Sequence, residues 1–296
     1  MREAWGVPAF ADTRRQKRVL WFFPMPKSSD SNDQLPPPLG RNAALFLDFD
    51  GTLVGLAPTP EAIEIPPALV ALLSDLRDQL GGALAVVSGR QIDSIDRFLA
   101  PLRLPAAGEH GVQRRDAKGH MQEQHAPDLV PILDIANELA RVHEGLLVER
   151  KHAAIALHYR LAPQLEAVCR DAMSRAINGR PALELMHGKF VFEVKPAGVN
   201  KGIAIDAFMT EAPFAGRTPV FAGDDTTDES GFAVVQPRGG IAIKVGSGPS
   251  LALHRLESPR AVYEWLVEAR DMLVAKPSAN PEENTQEKTE EPRSPR

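Results

Sequence analysis

Apolar residues in the middle of the chain follow two alternating patterns. Largely apolar runs occupy 43–49, which ends in acids, 83–87, 219–222 and 240–245. Such runs suit strands buried on both faces. Between them lie stretches with apolar residues at helical spacing. In 67–80 these are Leu69, Leu72, Leu73 and Leu76, and Gly81-Gly82 closes the pattern. Residues 91–99, 201–209, 229–235 and 259–274 read as further helices. The alternation predicts an α/β fold, a Rossmann-like parallel sheet covered on both faces.

Residues 112–192 read differently. Ile155, Leu157 and Tyr159 alternate along one face, and 146–148, 183–186 and 190–194 are further short strands. Helical stretches at 127–143 and 163–178 separate them. This predicts a small α+β unit inserted into the sheet domain, which takes 42–111 and 193–275. The flanks, 1–41 and 276–296, are proline-rich and polar. They cannot bury enough surface to offset their ordering entropy, so both are expected to be disordered. Within the first flank, 14–23 places basic residues before an apolar stretch. Pro24 and Pro26 follow, with no A-x-A-like site, which favours an extension over a signal peptide.

Composition narrows the classes. The 296 residues carry 34 Lys plus Arg against 39 Asp plus Glu, a formal net charge of -5. A mild acid surplus argues against a nucleic-acid partner. No apolar run reaches the roughly 18 residues that cross a bilayer, so no membrane partner is expected. The single cysteine, Cys169, excludes an intrachain disulfide. It suits a reduced, cytoplasmic compartment.

Chemistry collects at the strand ends, where open α/β sheets bind ligands. The first strand runs into Asp48-Phe49-Asp50-Gly51-Thr52 and the second into Ser88-Gly89-Arg90. A later one runs into Gly223-Asp224-Asp225-Thr226-Thr227-Asp228, and Asn200-Lys201-Gly202 opens a helix. So many converging carboxylates call for a cation, and an all-oxygen donor set suits Mg²⁺. Ser88, Lys201 and the amides of Gly51, Thr52 and Gly89 can hold an anion. Together these describe a phosphoryl-transfer site. One of Asp48 and Asp50 can be a carboxylate nucleophile, the other an acid and then a base. Taken singly, each motif has a blander reading. Asp48 and Asp50 could cap a turn, Ser88 a helix, and Lys201 could be a solvated helix residue.

These four motifs, in this order, resemble the haloacid-dehalogenase-like phosphatases. The resemblance implies that Asp48 attacks phosphorus and Asp50 is the acid and base. It implies Mg²⁺ on Asp48, the carbonyl of Asp50 and Asp224, with Asp225 and Asp228 in support. The insertion, lying between Ser88 and Lys201, matches the superfamily's C2-type cap. Within it and at its edges stand Gly108-Glu109-His110-Gly111, Glu149-Arg150-Lys151, His158-Tyr159-Arg160 and Glu193-Val194-Lys195-Pro196. This combination resembles the trehalose-6-phosphate phosphatases, over roughly 43–274. Arg150 departs from it, standing where an acid is expected. The resemblance implies trehalose 6-phosphate as substrate, with a synthase of that sugar phosphate as a candidate partner. It implies sugar or phosphate contacts for Arg90, Glu109, His110, Gly111, Lys151, His158, Arg160, Glu193 and Lys195. Glu193 and Lys195 alternate on a strand and have the blander reading of an exposed ion pair. Two alternatives stay open. One is a phosphatase for sucrose phosphate or a glycosyl-glycerate phosphate, the other a non-catalytic phosphosugar-binding protein.

Overall fold

The apolar run at 43–49 becomes β1 (Ala43–Leu47), every residue of it buried. A computed structural model describes residues 34–57, 61–124 and 128–275. Both expected disordered flanks therefore fall largely outside the described residues, as does the basic-apolar stretch at 14–23. The exception is 34–41, which packs. Leu39 joins the core, Trp265 Nε1 donates to Pro37 O at 3.3 Å, and Gln34 bridges His254. A proline-rich segment can lie against a sheet because proline has no N–H to satisfy.

β1 pairs in parallel with β2 (Leu84–Val87) and β10 (Thr218–Gly223). The sheet extends outward through β3 (Ala106–Gly108), β11 (Ile241–Val245) and β12 (His254–Leu256), all parallel. Two antiparallel strands, β4 (Gln113–Arg115) and β5 (Met121–Glu123), complete the far edge. The order is β12-β11-β10-β1-β2-β3-β4-β5. Helices α1 (Pro67–Gln79), α2 (Ile92–Leu99), α5 (Lys201–Met209), α6 (Glu229–Val235) and α7 (Pro259–Val274) supply its layers. α1 buries the predicted leucine stripe, and α7 buries Val262, Trp265, Leu266, Ala269 and Leu273. The short strands β3, β4, β5 and β12 escape the sequence pattern, being three residues each.

A second sheet, wholly antiparallel, has the order β6-β7-β9-β8. Its strands are β6 (Leu147–Arg150), β7 (Ile155–His158), β8 (Leu183–Gly188) and β9 (Val191–Pro196). One face packs on α3 (Val130–Val142) and α4 (Glu166–Ala176) through Ile155, Leu157, Phe192, Val194, Cys169 and Met173. The change of sheet does not coincide with the expected boundaries at 112 and 192. β4 and β5 belong to the large sheet, and the whole of β9 to the small one. Backbone pairing decides this, and side-chain pattern does not record it. Among the described residues no helix is long and apolar enough to cross a membrane.

Candidate active site

The carboxyl ends of β1, β2 and β10 meet the free face of the small sheet around a cavity of about 370 Å³. This volume suits a small ligand. Asp48, Asp50, Ser88, Gly89, Lys201 and Asp224 form its floor. Period-two alternation turns Phe192 and Val194 of β9 to the helices and Val191 and Glu193 to the cavity. Strand register then aligns two rows across the small sheet. Leu147, His158, Val191 and Gly188 make one, and Glu149, Ala156, Glu193 and Met186 the other. All but Ala156 line the cavity.

The floor is built around one lysine. Asn200 caps α5 by accepting from Ile203 N at 3.0 Å, and this places Lys201 in the first turn. Lys201 Nζ donates to Asp48 Oδ1 at 2.6 Å and to Asp228 Oδ1 at 2.7 Å, and it is 3% exposed. Gly202 lets α5 approach α6, since a Cβ there would lie 2.3 Å from Ser230 O. Thr52 Oγ1 donates to the other oxygen of Asp48, at 3.3 Å. Burial raises the Asp48 carboxyl well above its usual range, against the pull of Lys201, and Asp228 and Asp224 raise it further. Burial and the neighbouring Asp228 and Asp225 push Asp224 up to about 7. Lys201 shows the converse. Burial alone would lower it, but Asp228 and Asp48 hold it above the ordinary lysine range.

Oxygens of Asp48, Asp224 and Asp228 lie within 4.8 Å of one another. Gly51, at φ 85°, leaves its missing Cβ position to the Asp224 carboxylate, 2.1 Å from Oδ2. Hard oxygen donors, with the Asp48 and Asp224 carboxyls raised by burial and by their acidic neighbours, fit a divalent cation. Asp228 has both oxygens engaged, one by Lys201 and one by Asp225 N at 2.9 Å.

Some expected residues turn elsewhere. Asp225, expected beside the ion, accepts from Thr226 N at 2.7 Å and from Lys189 N at 3.1 Å. Lys189 lies on the small sheet's hairpin, and Thr226 Oγ1 donates to His187 O of that hairpin at 3.1 Å. Arg90 forks onto Asp50, with Nε at 2.6 Å and Nη2 at 2.8 Å, and lies over the Phe98 ring at 5.0 Å. Ser88, 1% exposed, takes Arg90 N on its hydroxyl at 3.2 Å.

On the other side of the cavity, Lys151 Nζ donates to Gly89 O at 2.9 Å and to Glu193 Oε2 at 2.5 Å. Burial would lower Lys151, but Glu193 and Glu149 raise it. Burial raises the Glu193 carboxyl from its ordinary value despite Lys151. His110 faces Glu193 Oε1 at 3.8 Å. Burial and then Lys201, Lys151 and Lys195 hold its pKa well below the ordinary histidine value. His158 Nε2 meets Glu149 Oε2 at 2.8 Å. Arg160 lines the mouth and donates to Ala57 O at 2.6 Å.

Three expected sugar contacts do not line the cavity. Glu109 is fully buried, and its oxygens accept from Gln91 Nε2, His152 N and Ala153 N. Lys195, 2% exposed, donates to Glu184 and to Val199 O, so it is no exposed pair with Glu193. Gly111 sits at φ 111° against Ala204. Their motifs gave the type of residue, and packing turned each away from the cavity. Sequence reasoning missed Lys244, whose Nζ donates to Asp224 O from inside β11. Its signal was present: a lysine in an otherwise apolar buried run. Glu149 and Lys189, which stand beside the cap motifs, also line the cavity.

A sequence model of the trehalose-phosphatase family matches residues 46–260. The chain is 44% identical over 233 residues to the trehalose-6-phosphate phosphatase of Escherichia coli, covering 78% of this chain and 87% of that one. It is 36% identical to the bifunctional trehalose-6-phosphate synthase/phosphatase of Thermoproteus tenax, covering 78% of this chain and 32% of that one. Among solved structures, a trehalose-6-phosphate phosphatase related protein superposes with a TM-score of 0.64 at 29% identity, covering 77% of this chain and 97% of that one. A phosphatase of the HAD superfamily from Bacteroides thetaiotaomicron shares the fold at 13% identity and a TM-score of 0.53, covering 83% and 98%.

Proposed function

The chain belongs to the trehalose-phosphatase family of phosphoric monoester hydrolases, and we propose that it hydrolyses trehalose 6-phosphate to trehalose and phosphate. The observation that carries this is the opposed pair of surfaces. A lysine-bridged cluster of acids faces a sheet bearing Glu149, Lys151, His158 and Glu193 across one small cavity. The first surface suits a phosphoryl group, and the second suits the hydroxyls of a sugar.

In this reading Asp48 attacks phosphorus. The bond from phosphorus to Asp48 forms as the bond to the sugar oxygen breaks. Asp50 gives its proton to the leaving oxygen. It then takes one from the water that cleaves the aspartyl-phosphate, which restores both carboxyls. Arg90 forks onto both oxygens of Asp50 and so holds it ionised; that fork must open onto the substrate before Asp50 carries the proton it gives. Lys201 and Ser88 hold the phosphoryl oxygens. Asp48, Asp224 and the carbonyl of Asp50 would hold Mg²⁺, with Asp228 orienting Lys201. Bound there, the ion supplies charge neutralisation and polarises the phosphoryl group.

The small sheet with α3 and α4 acts as a lid. Its hairpin contact with Asp225 and the Arg160 contact with Ala57 support that reading, because both close the mouth. The lone buried Cys169 supports a reduced, cytoplasmic setting. A synthase of the same sugar phosphate is the proposed partner, supported by the relative whose name joins both activities.

Phosphate release from a panel of trehalose 6-phosphate, glucose 6-phosphate, sucrose 6-phosphate and glucosylglycerate phosphate tests the reading. Trehalose 6-phosphate is expected to be the best substrate. Chelation should stop turnover and Mg²⁺ restore it. Asp48→Asn should lose on the order of 10⁴-fold or more. Equal turnover of glucose 6-phosphate, or activity unchanged in Asp48→Asn, would overturn it.

A further inference from the structure

The turn Gly108–Gly111 carries two non-glycine residues in the left-handed region, Glu109 at φ 46° and His110 at φ 59°. L-residues hold that conformation only where surrounding contacts over-determine it. Here those contacts run in two directions. Towards the large sheet, Glu109 N donates to Arg90 O and His110 N to Ser88 O, both at 2.9 Å. The His110 ring covers Gly89, whose Cβ would lie 2.6 Å from Nε2. Towards the small sheet, the Glu109 carboxylate takes His152 N at 2.6 Å and Ala153 N at 2.9 Å, while Gln91 Nε2, at the start of α2, reaches it from the large-sheet side at 3.1 Å.

His152 and Ala153 directly follow Lys151, and Lys151 Nζ returns to Gly89 O at 2.9 Å. The contacts form a closed ring. It passes from the Ser88–Arg90 loop through the strained turn to the backbone after Lys151, and through the lysine back to Gly89. We propose that Glu109 is a positioning residue. It clasps the chain beyond Lys151 and so fixes that ammonium against the phosphate-facing loop, and it does not contact the sugar. This rests on the reading that Lys151 meets the substrate. The carboxylate is specifically required. A glutamine keeps one acceptor oxygen and turns an NH₂ towards a backbone N–H, so one amide loses its partner.

A double-mutant cycle of Glu109→Gln and Lys151→Met, assayed with trehalose 6-phosphate, tests it. Glu109→Gln is expected to lower kcat/KM about tenfold, as one lost hydrogen bond to a charged group would. It should change kcat/KM less than twofold when Lys151 is already methionine. Losses that multiply would overturn the proposal. So would a lower melting temperature with kcat/KM of the folded fraction unchanged, which marks a purely structural role.

Amide hydrogen exchange on the wild-type protein needs no variant to fold. The amides of His152 and Ala153 should exchange as slowly as those of β7, although they lie in a connection. Exchange at loop rates would overturn the clasp. If wild-type protein releases no phosphate from trehalose 6-phosphate, the substrate reading falls and amide exchange alone decides the clasp.

Discussion

Replacing Lys201 by methionine removes a buried cation and leaves its length behind. Its Nζ lies 2.6 Å from Asp48 Oδ1 and 2.7 Å from Asp228 Oδ1, and the three side chains are 3%, 5% and 0% exposed. At an effective dielectric of about 20, each contact is worth about 6 kcal/mol before desolvation. Taking the ammonium out of water costs several kcal/mol, so the net loss on breaking such a pair is about 3–5 kcal/mol. For a folded region of this size that is on the order of 10 °C in Tm.

The loss depends on pH in a direction the site fixes. Asp224 is pushed up to about 7 from an ordinary 3.8. A raised carboxyl contributes stability that is full below the unfolded pKa and lost as pH rises through the folded one. Lys201 opposes that loss, because it lowers Asp48 and Asp224. Without it both carboxyls move further up, at about 1.4 kcal/mol per pH unit of extra shift. The deficit of Lys201→Met in chelated protein should therefore be larger at pH 8 than at pH 5. Urea denaturation at both pH values measures it. A deficit under about 1 kcal/mol at pH 8, or one as large at pH 5, would refute the reasoning.

Asp225→Ala should raise KM for the sugar phosphate about fivefold, the loss of roughly 1 kcal/mol, because its carboxylate serves the hairpin amide of Lys189. The Mg²⁺ concentration for half activity should stay within about twofold; the opposite split would return Asp225 to the ion. Cys169 is fully buried, and burial pushes its thiol up to about 11. Disulfide-exchange labelling at pH 8 should be negligible in native buffer and rise with urea in step with unfolding; prompt native labelling would contradict the packing under α4.

The sequence by itself determined the parts whose reach is local. A buried strand must be an apolar run, so β1, β2, β10 and β11 are legible, and an acid placed just past such a run stands at a carboxyl end wherever the sheet forms. That made Asp48, Asp50, Asp224 and Lys201 readable as one site before any pairing was known. Strands of three residues leave too little pattern, so β3, β4, β5 and β12 appeared only in the fold.

Tertiary structure decided which group meets which. Lys201 and Asp48 are 153 residues apart, and Lys151 and Gly89 are 62 apart. Strand register chose Glu193 for the cavity, and packing sent Lys195 to Glu184 and Val199. Glu109 illustrates the limit most directly. Its neighbours in sequence suggest a ligand contact, but two left-handed residues turn its carboxylate onto the amides of His152 and Ala153. Backbone amides look alike in every sequence, so only the folded chain can say which of them a carboxylate will hold.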